Sequence, residues 1–209
     1  NIMETNMKDV DWSTFINVKS EDEDDSDSND ANRVLATNNK IYFYSEVSRT
    51  KVLTLNKTIA NVGLSLQNRA NTLNLQDPGK IFLHINSYGG SVFSGLAATD
   101  CILSSPVDVI TVVEGCAASA ATLMSIVGTH RLMHKHSFML IHQLSSWMGG
   151  KYAELQDDMK NNDLLMKTIK GIYEEHTKIP KKQLSNILKH DLWWDAEKCL
   201  EYGLVDGII

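Results

Sequence analysis

The sequence predicts an α/β fold built on a largely parallel sheet. Short runs rich in β-branched and aromatic residues alternate with longer stretches of helical periodicity, and turn-forming clusters separate them. With 209 residues, 43% hydrophobic and 22% charged, the chain is long and apolar enough for one domain with a full core.

The N-terminal segment stands apart. Residues 1–32 carry ten acidic and two basic side chains, whereas residues 33–209 carry sixteen and eighteen. The stretch Ser20 to Asp30 contains no apolar residue, so ordering it gains no burial to offset the entropy lost. An acidic, largely flexible segment over 1–32 and a folded domain over 33–209 are therefore expected. Within the domain, Lys40-Ile41-Tyr42-Phe43-Tyr44 reads as a buried strand. Val52, Leu55, Ile59, Val62 and Leu66 recur at helical spacing, and Asp77-Pro78-Gly79 is a turn. Ile81 to Ile85 is a second strand, leading into Asn86-Ser87-Tyr88-Gly89-Gly90-Ser91, and Val92, Leu96, Thr99 and Leu103 mark the next helix. The β-branched run Val107 to Val113 is a third strand. A helix starting near Ser119 and a strand ending at His142 follow. Leu155, Met159, Met166, Ile169 and Tyr173 then trace a long helix, about 152–177, whose second stripe, Leu164, Leu165 and Ile172, predicts burial on two sides.

Charge and composition exclude several classes. The net charge of −6 sits in the N-terminal segment, so the domain shows no nucleic-acid footprint. No run approaches the roughly 20 apolar residues of a membrane helix. Asn1-Ile2-Met3-Glu4 does not open a secretory signal. Cys101, Cys116 and Cys199 lie far apart and read as buried free thiols of a reducing compartment. The expected location is cytoplasmic, an organelle stroma or matrix being the other reducing compartment.

Three residues sit in contexts suited to acyl transfer. Ser119 follows the small residues Gly115-Cys116-Ala117-Ala118, His142 ends the apolar run Phe138 to Ile141, and Asp191 lies in Lys189-His190-Asp191-Leu192-Trp193. A serine hydroxyl is a poor nucleophile at neutral pH, and a histidine base with an orienting carboxylate supplies what it lacks. Gly89-Gly90, directly after a strand, lets backbone N–H groups approach a ligand, and the start of the Ser119 helix offers a second set of donors. The Ser119 context is no Gly-x-Ser-x-Gly elbow, and the glycine pair opens neither a P-loop nor a dinucleotide turn. His134 and His136, on one face of an expected strand, have no Cys or carboxylate at metal-site spacing, so neither metal nor cofactor is expected. Taken singly, each of these residues also fits a structural role.

Read together, the segments Ile85-Asn86-Ser87-Tyr88-Gly89-Gly90-Ser91-Val92, Gly115-Cys116-Ala117-Ala118-Ser119, Leu140-Ile141-His142-Gln143 and Glu201-Tyr202-Gly203-Leu204-Val205-Asp206 resemble the proteolytic subunits of Clp protease. The resemblance implies a crotonase-like fold, a repeated ββα superhelix with a protruding handle helix. It implies Ser119 as nucleophile, His142 as base and Asp191 as third member, with an oxyanion hole from the Gly90 and Ala120 N–H groups. Gly89, Gln143, Leu144, Ser145 and Ser146 would bind substrate backbone. The implied function is an ATP-independent serine endopeptidase that cuts unfolded polypeptide inside two stacked seven-membered rings, fed by an AAA+ unfoldase. The departures mark a divergent member, of phage or organelle type. Tyr88 and Leu144 stand where the family has proline, and Ala120 where it has methionine. His84, Glu114 and His134 share with Phe82 and Val112 the positions of the family's apolar unfoldase groove, which argues against standard docking. A regulatory, non-catalytic subunit in a mixed ring with a paralogue is the other implied reading. A crotonase-type acyl-CoA enzyme is disfavoured, because no acid/base carboxylates occupy the matching turns.

Overall fold

A computed structural model describes residues 34–145 and 149–209. The acidic 1–32 segment and Ser146 lie outside the described residues. The sheet begins with the hairpin β1 (Val34–Thr37) and β2 (Lys40–Phe43), which are antiparallel. Helix α1 (Arg49–Leu73) crosses to β3 (Ile81–Ser87), which pairs parallel to β2. Helix α2 (Val92–Leu103) then leads to β4 (Val109–Ala118), parallel to β3. After the short α3 (Ala120–Ile126) come β5 (His130–Met133) and β6 (Phe138–Leu140), both parallel to β4. The long α4 (Tyr152–His176) and α5 (Lys181–Ile187) precede β7 (Trp193–Trp194), antiparallel to β6. Helix α6 (Ala196–Glu201) and β8 (Gly207–Ile208), parallel to β5, complete the domain. The expected α/β architecture is the one observed.

Local chemistry accounts for the boundaries. The Ser48 hydroxyl accepts from the Lys51 N–H to start α1, and Asn74 in the left-handed region (φ 51°) ends it. The Ser91 hydroxyl caps α2 through the Ser94 N–H. Strand β3 alternates buried and half-buried residues without exception, so one face of the sheet meets the helices and the other does not. Ile41, Phe43, Leu83 and Ile85 on the covered face form one core with Val52, Leu55 and Ile59 of α1 and Ile102 of α2.

Several expectations need correction. Strand β4 does not stop at Val113. It runs to Ala118 through a break at Glu114-Gly115, where four residues of β4 advance against two of β3. Strand β6 ends at Leu140, two residues before His142. His134 and His136 share no strand face, because β5 ends at Met133. Of the cysteines only Cys199 is fully buried; Cys101 and Cys116 are half-buried, and all three are free. The second stripe of α4 is covered in part: Leu164 is 64% exposed, Leu165 and Ile172 are half-buried with Ile172 packed against the core, and Ile169 and Tyr173 are the fully buried residues of the helix. The first half of α4 thus stands clear of the domain.

Arg131 of β5 locks the C-terminal turn to this frame. Its Nε and backbone N–H donate to Asp206 Oδ2 at 2.9 Å each, its Nη2 to Oδ1 at 2.5 Å, and its Nη1 to the Gly203 carbonyl at 2.9 Å and to the His176 carbonyl. These bonds from Arg131 hold the Asp206 carboxyl below the usual carboxylate range. Because the folded-state value is depressed, the stabilisation is present at neutral pH and is lost only as pH falls through and below about 4. Arg131→Met, which strands a partly buried carboxylate and two carbonyls, should cost about 2–3 kcal/mol at pH 7. Denaturant unfolding checks it, with the difference shrinking toward pH 3.

Candidate active site

The carboxyl ends of β3, β4 and β6 and the start of β7 lie side by side, and the register of these strands assembles the site. Ala117 of β4 pairs with Ser87 of β3, and Ala118 pairs with Leu140 of β6. The next residue of β4, Ser119, donates its backbone N–H to the Leu140 carbonyl at 2.9 Å. On the other side of β6, Met139 pairs with Trp194 and Leu140 with Trp193. Continuing that antiparallel register by two residues sets His142 opposite Asp191. Gly89-Gly90, Ser119, His142 and Asp191 therefore form a row across four neighbouring segments.

Ser119 occupies a sharp strand-to-helix turn with φ 55° and ψ −126°, a region that L-residues seldom enter. Such a conformation costs about 1–3 kcal/mol and persists only where the surroundings impose it. The surroundings are visible. The N–H side is tied to β6 as described, and the Ser119 carbonyl accepts the Thr122 N–H at 3.0 Å and the Thr122 hydroxyl at 2.6 Å. The Thr122 hydroxyl in turn meets the hydroxyl of Tyr173, from α4.

Gly89 closes in from the β3 side. A Cβ at Gly89 (φ 97°) would lie 2.6 Å from the Ala118 carbonyl oxygen and 2.7 Å from Ser119 Cβ, so only glycine allows this approach. The Gly89 carbonyl accepts from Val47 N–H at 2.7 Å and Ser91 N–H donates to the Val47 carbonyl at 2.8 Å, an arrangement that leaves the Gly90 N–H out of the pairing.

A cavity of about 390 Å³ opens beside this turn. Ser119, His142, Gly90 and Ala120 line it, and so do Gln143, Leu144 and Ser145. Its apolar wall includes Leu123, Ile169 and Tyr173, of which the last two come from α4. The chain beyond His142 is fixed by the Gln143 N–H, which donates to the Leu188 carbonyl at 2.6 Å, and by the Leu144 N–H, which faces the Met166 sulfur at 3.1 Å. Gln143, Leu144 and Ser145 adopt no strand.

His142 Nδ1 lies 3.5 Å from Asp191 Oδ1, a loose contact, and the Asp191 side chain is 61% exposed. The contact engages Nδ1 and not Nε2, and His142 shares the cavity lining with Ser119. Burial pushes the imidazole below its ordinary range, and the Asp191 charge pulls it back in part. Among the described residues the Ser119 hydroxyl has no hydrogen-bond partner. The helix after Ser119 has seven residues only, so its dipole contributes little and the free N–H groups of the turn are what remains of that expectation.

Thr122 and Tyr173 were not among the sequence candidates. Thr122 three residues after Ser119 is a spacing at which a threonine hydroxyl reaches back to a carbonyl. Tyr173 reads from sequence as one more apolar member of the α4 stripe, and nothing local distinguishes its hydroxyl.

The sheet face opposite the described helices carries a separate polar cluster. His84 Nδ1 meets Glu114 Oε1 at 2.6 Å, His134 Nε2 meets the same oxygen at 3.3 Å, and Tyr44 donates to Oε2. Tyr42 stacks on His84 with ring centroids 4.6 Å apart. Burial pushes the Glu114 carboxyl up, but the bonds from Tyr44 and His84 outweigh it and hold the group below its usual range. Among the described residues no three His, Cys, Asp or Glu side chains are grouped to hold a metal ion.

Comparison with known proteins agrees with this arrangement of elements. The ATP-dependent Clp protease proteolytic subunit 3 of Streptomyces coelicolor is 37% identical over 140 residues, which is 66% of this chain and 64% of that protein. Subunit 3 of Rhodococcus jostii is 35% identical over 136 residues, 64% of this chain and 67% of that protein. The proteolytic subunit of Porphyromonas gingivalis is 34% identical over 140 residues, 66% of this chain and 63% of that protein. The matched stretch thus spans just under two thirds of the Streptomyces and Porphyromonas proteins. Residues 27–209 match the family described as Clp protease. The chain belongs to the Clp protease family, whose crotonase-like α/β fold it shares.

Proposed function

We propose that this chain is a serine endopeptidase subunit that cleaves unfolded polypeptide in a ring assembly. The observation that carries the reading is the row of Gly89-Gly90, Ser119, His142 and Asp191 set side by side by strand register, with Gly90, Ser119 and His142 lining one cavity. In the first step Ser119 Oγ attacks the scissile carbonyl carbon while His142 Nε2 takes the hydroxyl proton. The carbonyl oxygen becomes an oxyanion and accepts the N–H groups of Gly90 and Ala120, which contribute about 3–4 kcal/mol of transition-state stabilisation for each donor of this kind. Collapse returns the proton from His142 to the leaving amine, and water then cleaves the acyl-serine by the same relay. Asp191 steadies the imidazolium through Nδ1. Gly89 with Gln143, Leu144, Ser145 and Ser146 holds the substrate backbone.

The cutting itself uses no nucleotide. The relatives are ATP-dependent Clp protease proteolytic subunits, which supports an assembly of subunits served by a separate AAA+ unfoldase. Two stacked rings of seven, or a mixed ring with a paralogue, fit the uncovered half of α4, where Met159 and Leu164 are 58% and 64% exposed. The Glu114 cluster lies at the positions that match the family's docking groove, which supports a partner that tolerates a carboxylate and two imidazoles. Among the described residues no helix is long and apolar enough to cross a membrane. Three free thiols suit a cytoplasmic location. A regulatory, non-catalytic subunit is the second reading, favoured by the missing hydrogen bond at Ser119 Oγ and the loose His142–Asp191 contact.

Labelling with a fluorophosphonate separates the two. An active subunit reacts, and Ser119→Ala does not; absence of labelling in the assembled wild-type protein selects the regulatory reading. The rate of that labelling should rise with pH through a midpoint below about 6.5, the ordinary imidazole value, because a depressed His142 pKa keeps the base neutral further into acid. Asp191→Asn removes the upward pull, so the midpoint moves lower still while the plateau rate falls by more than about 10-fold. A midpoint that moves upward in that variant rules out the proposed pairing. Finally, Ser119→Gly relieves the left-handed turn whereas Ser119→Ala does not. Both are inactive, but the glycine variant should be the more stable by about 1 kcal/mol in denaturant unfolding.

A further inference from the structure

The structure assigns Tyr173 and Thr122 as a positioning pair that holds Ser119 in its reactive backbone conformation from a helix outside the catalytic row. The inference rests on the peptidase reading above and deepens it. Ser119 can sit at φ 55°, ψ −126° only if both peptide groups around its Cα are fixed. The first is fixed by β6, through the Ser119 N–H on the Leu140 carbonyl. Among the described residues the second is fixed by Thr122 alone, with two bonds to one carbonyl. A threonine hydroxyl carries one proton. Thr122 gives it to the Ser119 carbonyl at 2.6 Å, so in the contact with Tyr173 it must be the acceptor and the tyrosine the donor. The result is a directed relay: Tyr173 O–H to Thr122 Oγ, and Thr122 O–H to the Ser119 carbonyl.

Burial gives the relay its leverage. Thr122 is 0% and Tyr173 2% exposed, so water does not stand in for either partner. Threonine in a helix divides between two χ1 rotamers, only one of which aims its hydroxyl back along the chain in this way. The tyrosine, 51 residues later in sequence and on a different helix, selects that rotamer. Its ring meanwhile forms part of the cavity wall, so the two ends of the side chain serve different purposes. The hydroxyl is separable from the ring by mutation. Tyr173→Phe keeps the wall and removes the donor. Thr122→Val keeps the volume and removes the relay, and Thr122→Ser retains a hydroxyl.

The test measures fluorophosphonate acylation of the assembled protein as a function of probe concentration. Tyr173→Phe should lower the maximal acylation rate about 10-fold and leave the half-saturating concentration within about twofold, because the cavity is intact. Thr122→Val should do the same, Thr122→Ser should recover most of the rate, and the Tyr173→Phe/Thr122→Val double variant should be no slower than Thr122→Val alone. Tyr173→Phe and Thr122→Val acylating at the wild-type rate, or Thr122→Ser failing as badly as Thr122→Val, would overturn the assignment. Amide hydrogen exchange across residues 118–123 reads the same link without any turnover. It should quicken in Tyr173→Phe relative to the wild type, and unchanged exchange refutes the pair. A wild-type protein that takes no label defeats the peptidase reading, and the exchange result then decides the positioning claim by itself. If Tyr173→Phe does not assemble, the two Thr122 variants carry the comparison.

Discussion

The break in β4 at Glu114-Gly115 is the constraint on which the rest of the structure depends. Before it, Ile110 to Val113 pair with β5; after it, Cys116 to Ala118 pair with β6. A straight strand would keep one neighbour along that edge, and β6 would have nowhere to dock. Gly115 makes the turn possible with φ 68°, and a Cβ there would lie 3.0 Å from the Asn86 side-chain nitrogen. By splitting its edge, β4 sends one branch of the sheet toward β8 and the C-terminal turn, and the other toward β7 and the candidate site.

The same break has an effect on the opposite face. Glu114 sits at the step itself, and its carboxylate gathers Tyr44, His84 and His134 on the side of the sheet that none of the described helices covers. Glu114 within β4 and Ser119 directly after its end therefore anchor the outer polar cluster and the cavity. Among the described residues the imidazole Nε2 of His84 is buried without a hydrogen-bond partner, so the cluster is costly to form and is retained by three converging bonds on Glu114.

Much of this was legible in the sequence, for reasons that are local. The alternation of strand and helix patterns, the α1 stripe from Val52 to Leu66 and the long α4 all follow from periodicity, which depends on neighbours within a turn or two. The length of β4 was not legible, because Glu114-Gly115 has the composition of a strand end. Nor could spacing join His142 to Asp191. Their proximity comes from the register of β7, a two-residue strand too short to have a period. Resemblance to a family supplied those residues where pattern could not. Leu164 differs in the other direction: an apolar stripe states that something will cover it, not that the same chain will. For Tyr173 the ring was legible as core, whereas the partner of its hydroxyl depended on how α4 crosses α3.

The row at the strand ends also sets an order on the making of the site. Its members come from residues 89–90, 119, 142 and 191, so their contacts close loops that run across most of the domain, and contacts of that kind form late. During synthesis the glycine pair, the serine and the histidine leave the ribosome well before the aspartate. No nascent chain that lacks β7 has the complete row, and none can lay α4 against α3 until the helix itself has been made. On the proposed peptidase reading, an unfinished copy therefore has no fully formed site with which to cut its neighbours.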